Sequence, residues 1–163
     1  FINLARGEIV DDDAMMAALE TGKVACYVTD FPNNKIMQAR HVVAFPHLGA
    51  STPESEQNCA IMAVDELQDY LENGNIRNSV NMPAASLERS GVMRMCLIHK
   101  NVPAMLASIT TLLAKDNVNV ENLSNKSKGD YAYTIVDLGA RVGQSVIEDV
   151  KNLPNMVRVR VIA

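Results

Sequence analysis

From Gly91 onward, the order of apolar runs and amphipathic segments constrains the fold more than any other feature of the chain. The strand-like run VMRMCLIH leads into PAMLASITTLLAKDN, where apolar residues recur at helical spacing. Two further runs joined by a polar turn, a second helix (QSVIEDVKNL) and a closing strand (MVRVRVIA) follow. The order βαββαβ predicts a split βαβ sandwich, the ferredoxin-like arrangement, over residues 91–163.

The first part of the chain follows a different pattern, in which short apolar runs alternate with one helix. FINLA, VACYVT and HVVAF are candidate strands, and FINLA is predicted to be buried. DDDAMMAALETGK predicts a helix with acidic residues at its N-terminal end and Gly22 as its stop. This alternation predicts a parallel sheet. Because the chain opens inside a strand, with Phe1 rather than Met, we expect it to be the C-terminal part of a longer protein.

A long helix and a linker are predicted between these two patterns. Ser51 or Thr52 can cap the helix, Pro53 suits its first turn, and Gly74 ends it. The segment VNMPAASLERSG has no periodicity, which is typical of a linker. We therefore divide the chain into a sheet segment, a crossing helix, a linker and a C-terminal domain, with bounds at 1–52, 53–81, 82–90 and 91–163.

Three polar residues follow the three predicted strands of the first part. Arg6 comes after FINLA, Asp30 after VACYVT, and His47 shortly after HVVAF. If the strands are parallel, all three lie at the carboxyl edge of the sheet, where open α/β sheets bind ligands. Arginine can grip a carboxylate, histidine can move a proton near neutral pH, and aspartate can orient either a cofactor or the histidine. A purely structural role, as capped strand ends, fits the spacing equally well.

Composition narrows the classes of partner. The net charge is −4 and no basic run is present, which argues against a nucleic-acid or anionic-membrane partner. No apolar stretch is long enough to span a bilayer. Cys26, Cys59 and Cys96 are odd in number and far apart, so we predict buried thiols in a reducing compartment, the cytoplasm, with neither disulfides nor a metal site.

Several blocks of sequence resemble one enzyme family. NLARGEIVDDDAMMAALETGKV, VTDF and FPHLGAST are similar to the closing third of the NAD-binding domain in D-isomer-specific 2-hydroxyacid dehydrogenases, and residues 91–163 resemble an ACT domain. The resemblance implies a partial doubly wound, Rossmann-type sheet and NAD as the cofactor. It is strongest to members that oxidise 3-phosphoglycerate, the first step towards serine, although another D-2-hydroxyacid is an alternative substrate.

The resemblance also implies a role for each residue at the sheet edge. Arg6 would hold the substrate carboxylate, His47 would take the hydroxyl proton, and Asp30 would position the nicotinamide end of NAD. The absence of a side chain at Gly49 would allow the backbone to approach the cofactor. The segments that line the cofactor in the family match Leu4, Ala5 and Arg6, and then His47, Leu48, Gly49 and Ala50.

Two features of the family are absent from this chain. A glutamate normally follows the aspartate and pairs with the histidine, whereas the segment here is DFPNNK. Glu8, Glu54 or Asp30 could substitute across space, other groups could hold the histidine, or the enzyme could be weak or specialised. The Gly-rich turn that binds pyrophosphate is also missing, so we expect the chain by itself to be inactive.

The segment LIHKNVPAML offers a second candidate site. Asn101 can cap the following helix, with Pro103 in its first turn, and simple capping is the interpretation that the spacing favours. The ACT resemblance implies an L-serine site formed by His99, Asn101 and Asn119. Ala104 stands where the family usually has glycine, so its methyl group could crowd the ligand. In the family these domains pair edge to edge between subunits, which predicts a homo-oligomer.

An alternative of a different class is a stand-alone amino-acid-binding regulator. In that case residues 1–50 would form a closed domain, whereas a piece of a dehydrogenase predicts a sheet with an exposed apolar edge. On the closing strand, Arg158 and Arg160 are predicted to form a solvated face.

Overall fold

The computed structural model describes residues 1–49 and 51–163, which form two compact units, residues 1–62 and 63–163. The predicted α/β fold class is confirmed, with a parallel sheet in the first unit and an antiparallel βαββαβ sheet in the second. The elements are β1 (Ile2–Asn3), α1 (Asp12–Glu20), β2 (Tyr27–Thr29), β3 (Val42–Ala44), α2 (Pro53–Asn73), β4 (Met93–Lys100), α3 (Met105–Lys115), β5 (Val120–Lys128), β6 (Tyr131–Leu138), α4 (Gln144–Lys151) and β7 (Met156–Ile162).

The sheet of the first unit has the order β1-β2-β3, and both strand pairs are parallel, as the alternating pattern predicts. Helix α1 begins after Asp11, whose side chain accepts a 2.9 Å hydrogen bond from the Ala14 N–H. Gly22, at a φ of 72°, follows its end in the left-handed conformation that glycine adopts without strain. The core beneath the sheet consists of Met15, Leu19, Tyr27 and Ile36.

The expectation that FINLA is a buried strand is wrong. Only Ile2 and Asn3 pair in the sheet, and the exposed fractions of Phe1 and Ile2 are 62% and 70%. The one buried residue of this strand is the polar Asn3. The apolar residues are exposed because β1 lies at an edge of the sheet, with no described layer covering it.

The sheet of the second unit has the order β5-β6-β4-β7, with antiparallel pairing throughout. One face packs against α3 and α4, whose buried residues recur at helical spacing. Deletion of a large side chain from such a close-packed layer would leave a cavity. This face holds the main core of the unit. Its fully enclosed members include Leu97, Ile109, Val136, Leu138 and Val150.

The other face of this sheet is covered by residues 75–90, most of which we expected to be a loose linker. Ile76 and Ala85 form a small antiparallel bridge and are both buried. They pack against Cys96, Tyr133 and Ile135 of the sheet. The segment is therefore part of the fold, because without it one apolar face of the sheet would be open to water.

Helix α2 begins at Pro53, where the Thr52 hydroxyl accepts a 3.2 Å hydrogen bond from the Ser55 N–H. An apolar stripe along the helix is exposed, and it contains Val64, Leu67 and Leu71. An unpaired apolar stripe of this kind indicates a surface that another segment covers.

The carboxyl end of α2 is held by side chains from three strands of the second unit. Arg160 donates to the carbonyls of Tyr70 and Leu71, and the Tyr133 hydroxyl donates to that of Gly74 at 2.7 Å. The prediction of a solvated face is therefore wrong for Arg160, although Arg158 is exposed. The last carbonyls of a helix lack hydrogen-bond donors within the helix, and here charged and polar side chains act as their donors.

The start of α3 differs from the prediction. The residue before the helix is Ala104, and Asn101 makes no capping bond to α3. Instead, the Asn101 side chain donates to the Gly129 carbonyl at 3.2 Å, at the turn between β5 and β6. Ala104 has a φ of 67°, a left-handed conformation that costs an L-residue about 1–2 kcal/mol. A glycine would avoid this cost, so the alanine strains the backbone at this turn.

The three thiols are free, but only Cys96 is buried. Cys59 is exposed on α2, which contradicts the expectation that all three are buried, because that part of the helix has no described layer over it. Among the described residues, no helix is both long and apolar enough to cross a bilayer.

Candidate functional site

The structure brings Arg6, Asp30 and His47 together at the carboxyl edge of the parallel sheet. The Asp30 N–H donates to the Asn3 carbonyl at 3.2 Å, and the His47 N–H donates to the Asp30 carbonyl at 3.1 Å. These bonds tie the three loops that follow the strands to one another. The predicted proximity is therefore found, while the predicted roles of these residues in catalysis and cofactor binding stay predictions.

The carboxylate of Asp30 holds the loop that carries the histidine. Asp30 is only 1% exposed, and its two oxygens accept hydrogen bonds from the Leu48 N–H at 2.7 Å and the Gly49 N–H at 2.5 Å. A Cβ at Gly49 would lie 2.7 Å from Asp30 Oδ2, so this loop needs a glycine there. Charge-assisted bonds to backbone N–H groups are strong, and they fix the position of residues 47–49.

His47 is exposed and has a φ of 57°, a left-handed conformation that is uncommon outside glycine. Its imidazole ring contacts the ring of Phe31, with the two ring centroids 4.8 Å apart and the ring planes at 50°. No carboxylate of the described residues forms an ion pair with His47, including Glu8, Glu54 and Asp30. Aromatic contact and backbone geometry thus orient the histidine in this structure.

Arg6 lies on the loop that follows β1, and its side chain is exposed. Its guanidinium carbon is 5.9 Å from the centroid of the Phe31 ring, within the range of a cation–π contact. The buried Asn3 shapes this loop, because its side chain accepts from the Ala5 N–H at 3.1 Å and donates to the Arg6 carbonyl at 2.9 Å. The guanidinium also donates to the Ala5 carbonyl at 2.7 Å, and its remaining N–H groups can meet an anionic group in front of the sheet edge.

The remaining residues predicted to line NAD lie on the same two loops. Leu4, Ala5, Leu48 and Gly49 are exposed at the edge of the sheet. Ala50 lies outside the described residues. Exposed backbone with small or absent side chains is what a flat cofactor ring needs for close approach.

Sequence reasoning missed two residues of this edge. Asn3 stands inside the apolar run FINLA, where a lone polar residue is a signal for a buried hydrogen-bonding role. Phe31 belongs to DFPNNK, the segment that lacks the expected acid. Its contact with two polar side chains depends on loops that are far apart in sequence, so no local signal indicates it.

In the second unit, His99 is only 2% exposed, and both of its ring nitrogens are engaged. Nδ1 lies 2.9 Å from the Lys100 carbonyl, and Nε2 lies 2.8 Å from the Thr134 hydroxyl. Thr134 in turn contacts Asn125 on β5 at 2.7 Å. A ligand could reach a His99 ring nitrogen only by displacing one of these bonds.

The other two predicted effector residues lie at opposite ends of the second sheet. The Asn101 N–H donates to the Asp130 carbonyl, beside the start of β6. The Asn119 carbonyl accepts from the Gly139 N–H, just beyond the end of β6, and its side chain donates to Glu121 at 2.8 Å. Eight residues of β6 separate these ends, which corresponds to roughly 25 Å. One copy of the chain therefore does not bring Asn101 and Asn119 together.

Comparisons with known proteins find a family match for the segment that forms the parallel sheet. Residues 1–49 match the family model described as the NAD binding domain of D-isomer specific 2-hydroxyacid dehydrogenase. D-3-phosphoglycerate dehydrogenase from Haemophilus influenzae is 29% identical over 173 residues, and the protein of that name from Escherichia coli is 28% identical over 174. Both alignments cover 99% of this chain.

The chain spans about two fifths of the length of these curated relatives, since the alignments cover 42% of each. Among solved structures, a glyoxylate reductase from Paecilomyes thermophila aligns with a TM-score of 0.40 and 27% identity. That alignment covers 49% of this chain and 26% of the other.

Proposed function

We propose, from the premise that residues 1–49 belong to the NAD-binding domain family of D-isomer-specific 2-hydroxyacid dehydrogenases, that the whole protein oxidises 3-phosphoglycerate with NAD. The product would be 3-phosphohydroxypyruvate, on the route to L-serine, and the reaction would take place in the cytoplasm. The observation that carries this proposal is that Arg6 and His47 both contact the Phe31 ring at the carboxyl edge of a parallel sheet. The similarity to D-3-phosphoglycerate dehydrogenases over 99% of the chain supports the choice of substrate.

Arg6 and His47 would have different roles in the oxidation of a 2-hydroxyacid. Arg6, exposed in front of the edge, would bind the substrate carboxylate and fix the orientation of the carbon next to it. A ring nitrogen of His47 would accept the hydroxyl proton as the carbon is oxidised. Asp30 would act on this step indirectly, because it fixes the loop on which the histidine lies.

The loops at this edge fit the nicotinamide end of NAD. Leu4, Ala5 and Leu48 are exposed there, and Gly49 has no side chain to block close approach. When bound, NAD supplies the hydride acceptor of the reaction. This chain has no Gly-rich turn that could bind the pyrophosphate of NAD. We therefore expect turnover only from a longer protein that contains such a turn.

Substrate preference tests this proposal most directly. We expect the whole protein to reduce NAD with 3-phosphoglycerate at a kcat/KM at least about 100-fold above that for D-glycerate or D-lactate, because a site built for a phosphate is left unpaired by analogues that lack it. The appearance of NADH, followed by absorbance, gives both constants. A preference for D-lactate would point to another 2-hydroxyacid dehydrogenase, and the absence of NADH with every substrate would reject the dehydrogenase.

The stand-alone regulator fits the first unit less well. A closed domain would cover its apolar side chains, whereas Phe1, Ile2 and Leu4 are exposed along the β1 edge. In a dehydrogenase, residues 53–81 would cross back towards a substrate domain, and that domain would cover the exposed stripe of α2. The same proposal thus accounts for both apolar surfaces.

We further propose that residues 91–163 act as an ACT-type sensor of L-serine between two copies of the chain. Within the described chain, β5 pairs on one side only, with β6, so its outer edge offers free backbone groups. Antiparallel pairing of β5 with its counterpart, centred on the strand, would set residue 120 of one copy opposite residue 128 of the other. Asn101 bonds to the turn at Gly129, so Asn119 of the partner subunit would come close to it.

A mixing experiment tests this shared site. We expect Asn101→Ala and Asn119→Ala each to abolish the heat of L-serine binding in calorimetry. Co-refolding the two variants in equal amounts should restore about a quarter of the sites, because half of the dimers are mixed and each mixed dimer has one intact site. Glycine and L-alanine serve as ligand controls. Complete silence of the mixture would contradict a site shared between copies.

A further inference from the structure

We propose that Phe31 is the positioning residue of the sheet edge, which orients both His47 and Arg6 in place of the carboxylate that DFPNNK lacks. This inference rests on the proposed function, because it concerns the same proton transfer and the same carboxylate grip. The phenyl ring contacts both side chains, with its centroid 4.8 Å from the centroid of the His47 ring and 5.9 Å from the guanidinium carbon of Arg6.

Contacts of Phe31 with Thr29 and with the chain at Gly7 hold its position. Phe31 is half-buried, and its N–H donates to the Thr29 hydroxyl at 3.1 Å, which fixes the backbone just after β2. On its other side the chain passes very close, since a Cβ built at Gly7 would lie 3.3 Å from Phe31 Cβ. These contacts hold the backbone and the Cβ of Phe31, and with them the start of its side chain, beside the loop that follows Arg6.

The histidine is confined from the opposite direction. Its backbone is locked in a left-handed conformation, and Asp30 binds the two following N–H groups. With the main chain fixed, the imidazole retains mainly rotation about its side-chain bonds. A tilted aromatic contact favours one of these rotamers, and such pairs are attractive beyond their buried area.

The chemistry of a phenyl ring differs from that of a carboxylate in a useful way. A carboxylate would orient the imidazole by a hydrogen bond and would also attract the Arg6 guanidinium. The phenyl ring offers neither a charge nor an acceptor, so it leaves both ring nitrogens of His47 available and keeps Arg6 for the substrate. Its face attracts the guanidinium weakly.

Kinetics of the whole protein test this role. We expect Phe31→Leu to lower kcat by about tenfold while the KM for NAD stays unchanged, because a misplaced imidazole slows proton transfer without altering cofactor binding. Phe31→Tyr keeps the ring and should restore kcat to within about twofold of wild type. Met37→Leu, an exposed apolar change in the same unit, is the matched control and should have no effect.

A spectroscopic measurement separates positioning from general damage. In the wild-type protein, the His47 ring protons should be displaced upfield by the Phe31 ring current in the NMR spectrum; this displacement should vanish in Phe31→Leu and persist in Phe31→Tyr. If His47→Asn leaves turnover intact, the proposed function fails. If His47→Asn abolishes turnover but Phe31→Leu keeps wild-type kcat, the role of Phe31 is overturned. Should Phe31→Leu not fold, an undisplaced His47 signal in the wild type would overturn it equally.

Discussion

Replacement of Arg94 by alanine is expected to lower the free energy of unfolding of the second unit by about 3–5 kcal/mol. Arg94 and Asp137 are both 0% exposed, and they form a two-point ion pair between β4 and β6, with bonds of 2.6 and 2.7 Å. The same guanidinium donates to the carbonyls of Asn73 and Glu88 at 2.7 and 3.2 Å. Removal of the arginine would therefore leave a buried carboxylate with only its donors from Ser90, and two carbonyls without this donor.

Denaturant unfolding, followed by the hydrogen exchange of β6 amides, measures this loss. The exchange readout reports the second unit alone, which matters because the chain has two units and need not unfold in one step. Arg158→Ala is the matched control, since Arg158 is exposed on a neighbouring strand and its loss should change stability by at most about 0.5 kcal/mol. A loss below about 1 kcal/mol for Arg94→Ala would contradict the structural role of the pair.

The pH dependence of stability offers a second readout of the same pair. Burial by itself would raise the pKa of Asp137, but the hydrogen bonds from Arg94 and Ser90 outweigh it and hold this pKa below its ordinary value of 3.8. A carboxyl group with a lowered pKa contributes stability above its unfolded pKa and loses it as the pH falls through the folded one. The stability advantage of wild type over Asp137→Asn should therefore shrink as the pH falls below about 4.

In the whole protein, His47→Asn is expected to lower kcat by about 10²–10⁴-fold while the KM for 3-phosphoglycerate changes little. Under the proposed function, asparagine could not accept the hydroxyl proton at neutral pH, whereas Arg6 would still bind the substrate carboxylate. Asparagine also tolerates the left-handed φ of 57° better than most residues, so the loop should keep its shape.

The chain offers a closely matched control for this substitution. His41 is also exposed, also has a positive φ, of 63°, and lies at the opposite end of β3. His41→Asn should leave kcat within about twofold of wild type. Equal losses in the two variants would indicate damage to the fold, and unchanged turnover in His47→Asn would remove the histidine from the mechanism.

Predictions based on local signals agree best with the structure. Asp11 and Gly22 bound α1 because capping and left-handed turns depend on a few neighbouring residues. The parallel pairing of the first sheet agrees as well, and so does the helical spacing of the buried residues in α3 and α4. Asn101 shows the limit of this reasoning, since a good capping residue bonds instead to the Gly129 carbonyl of a distant turn.

The long-range partners of individual side chains were the feature that the sequence could not indicate. Arg94 lies in a strand-like run and Arg160 in an alternating one, and neither position suggests that its side chain binds the end of α2. The same is true of Phe31, whose contacts with Arg6 and His47 join three separate loops. Each of these depends on which strands become neighbours, and that information is not local.

The sequence alone determined the elements and their order, because apolar periodicity and end signals act over one or two turns of chain. It also determined that an arginine, an aspartate and a histidine follow three strands. Only the tertiary structure decided that the aspartate binds the loop backbone, that the histidine meets a phenyl ring, and that Asn101 and Asn119 lie far apart in one copy. The reason is physical, since the partners of a polar side chain are set by the packing of distant segments.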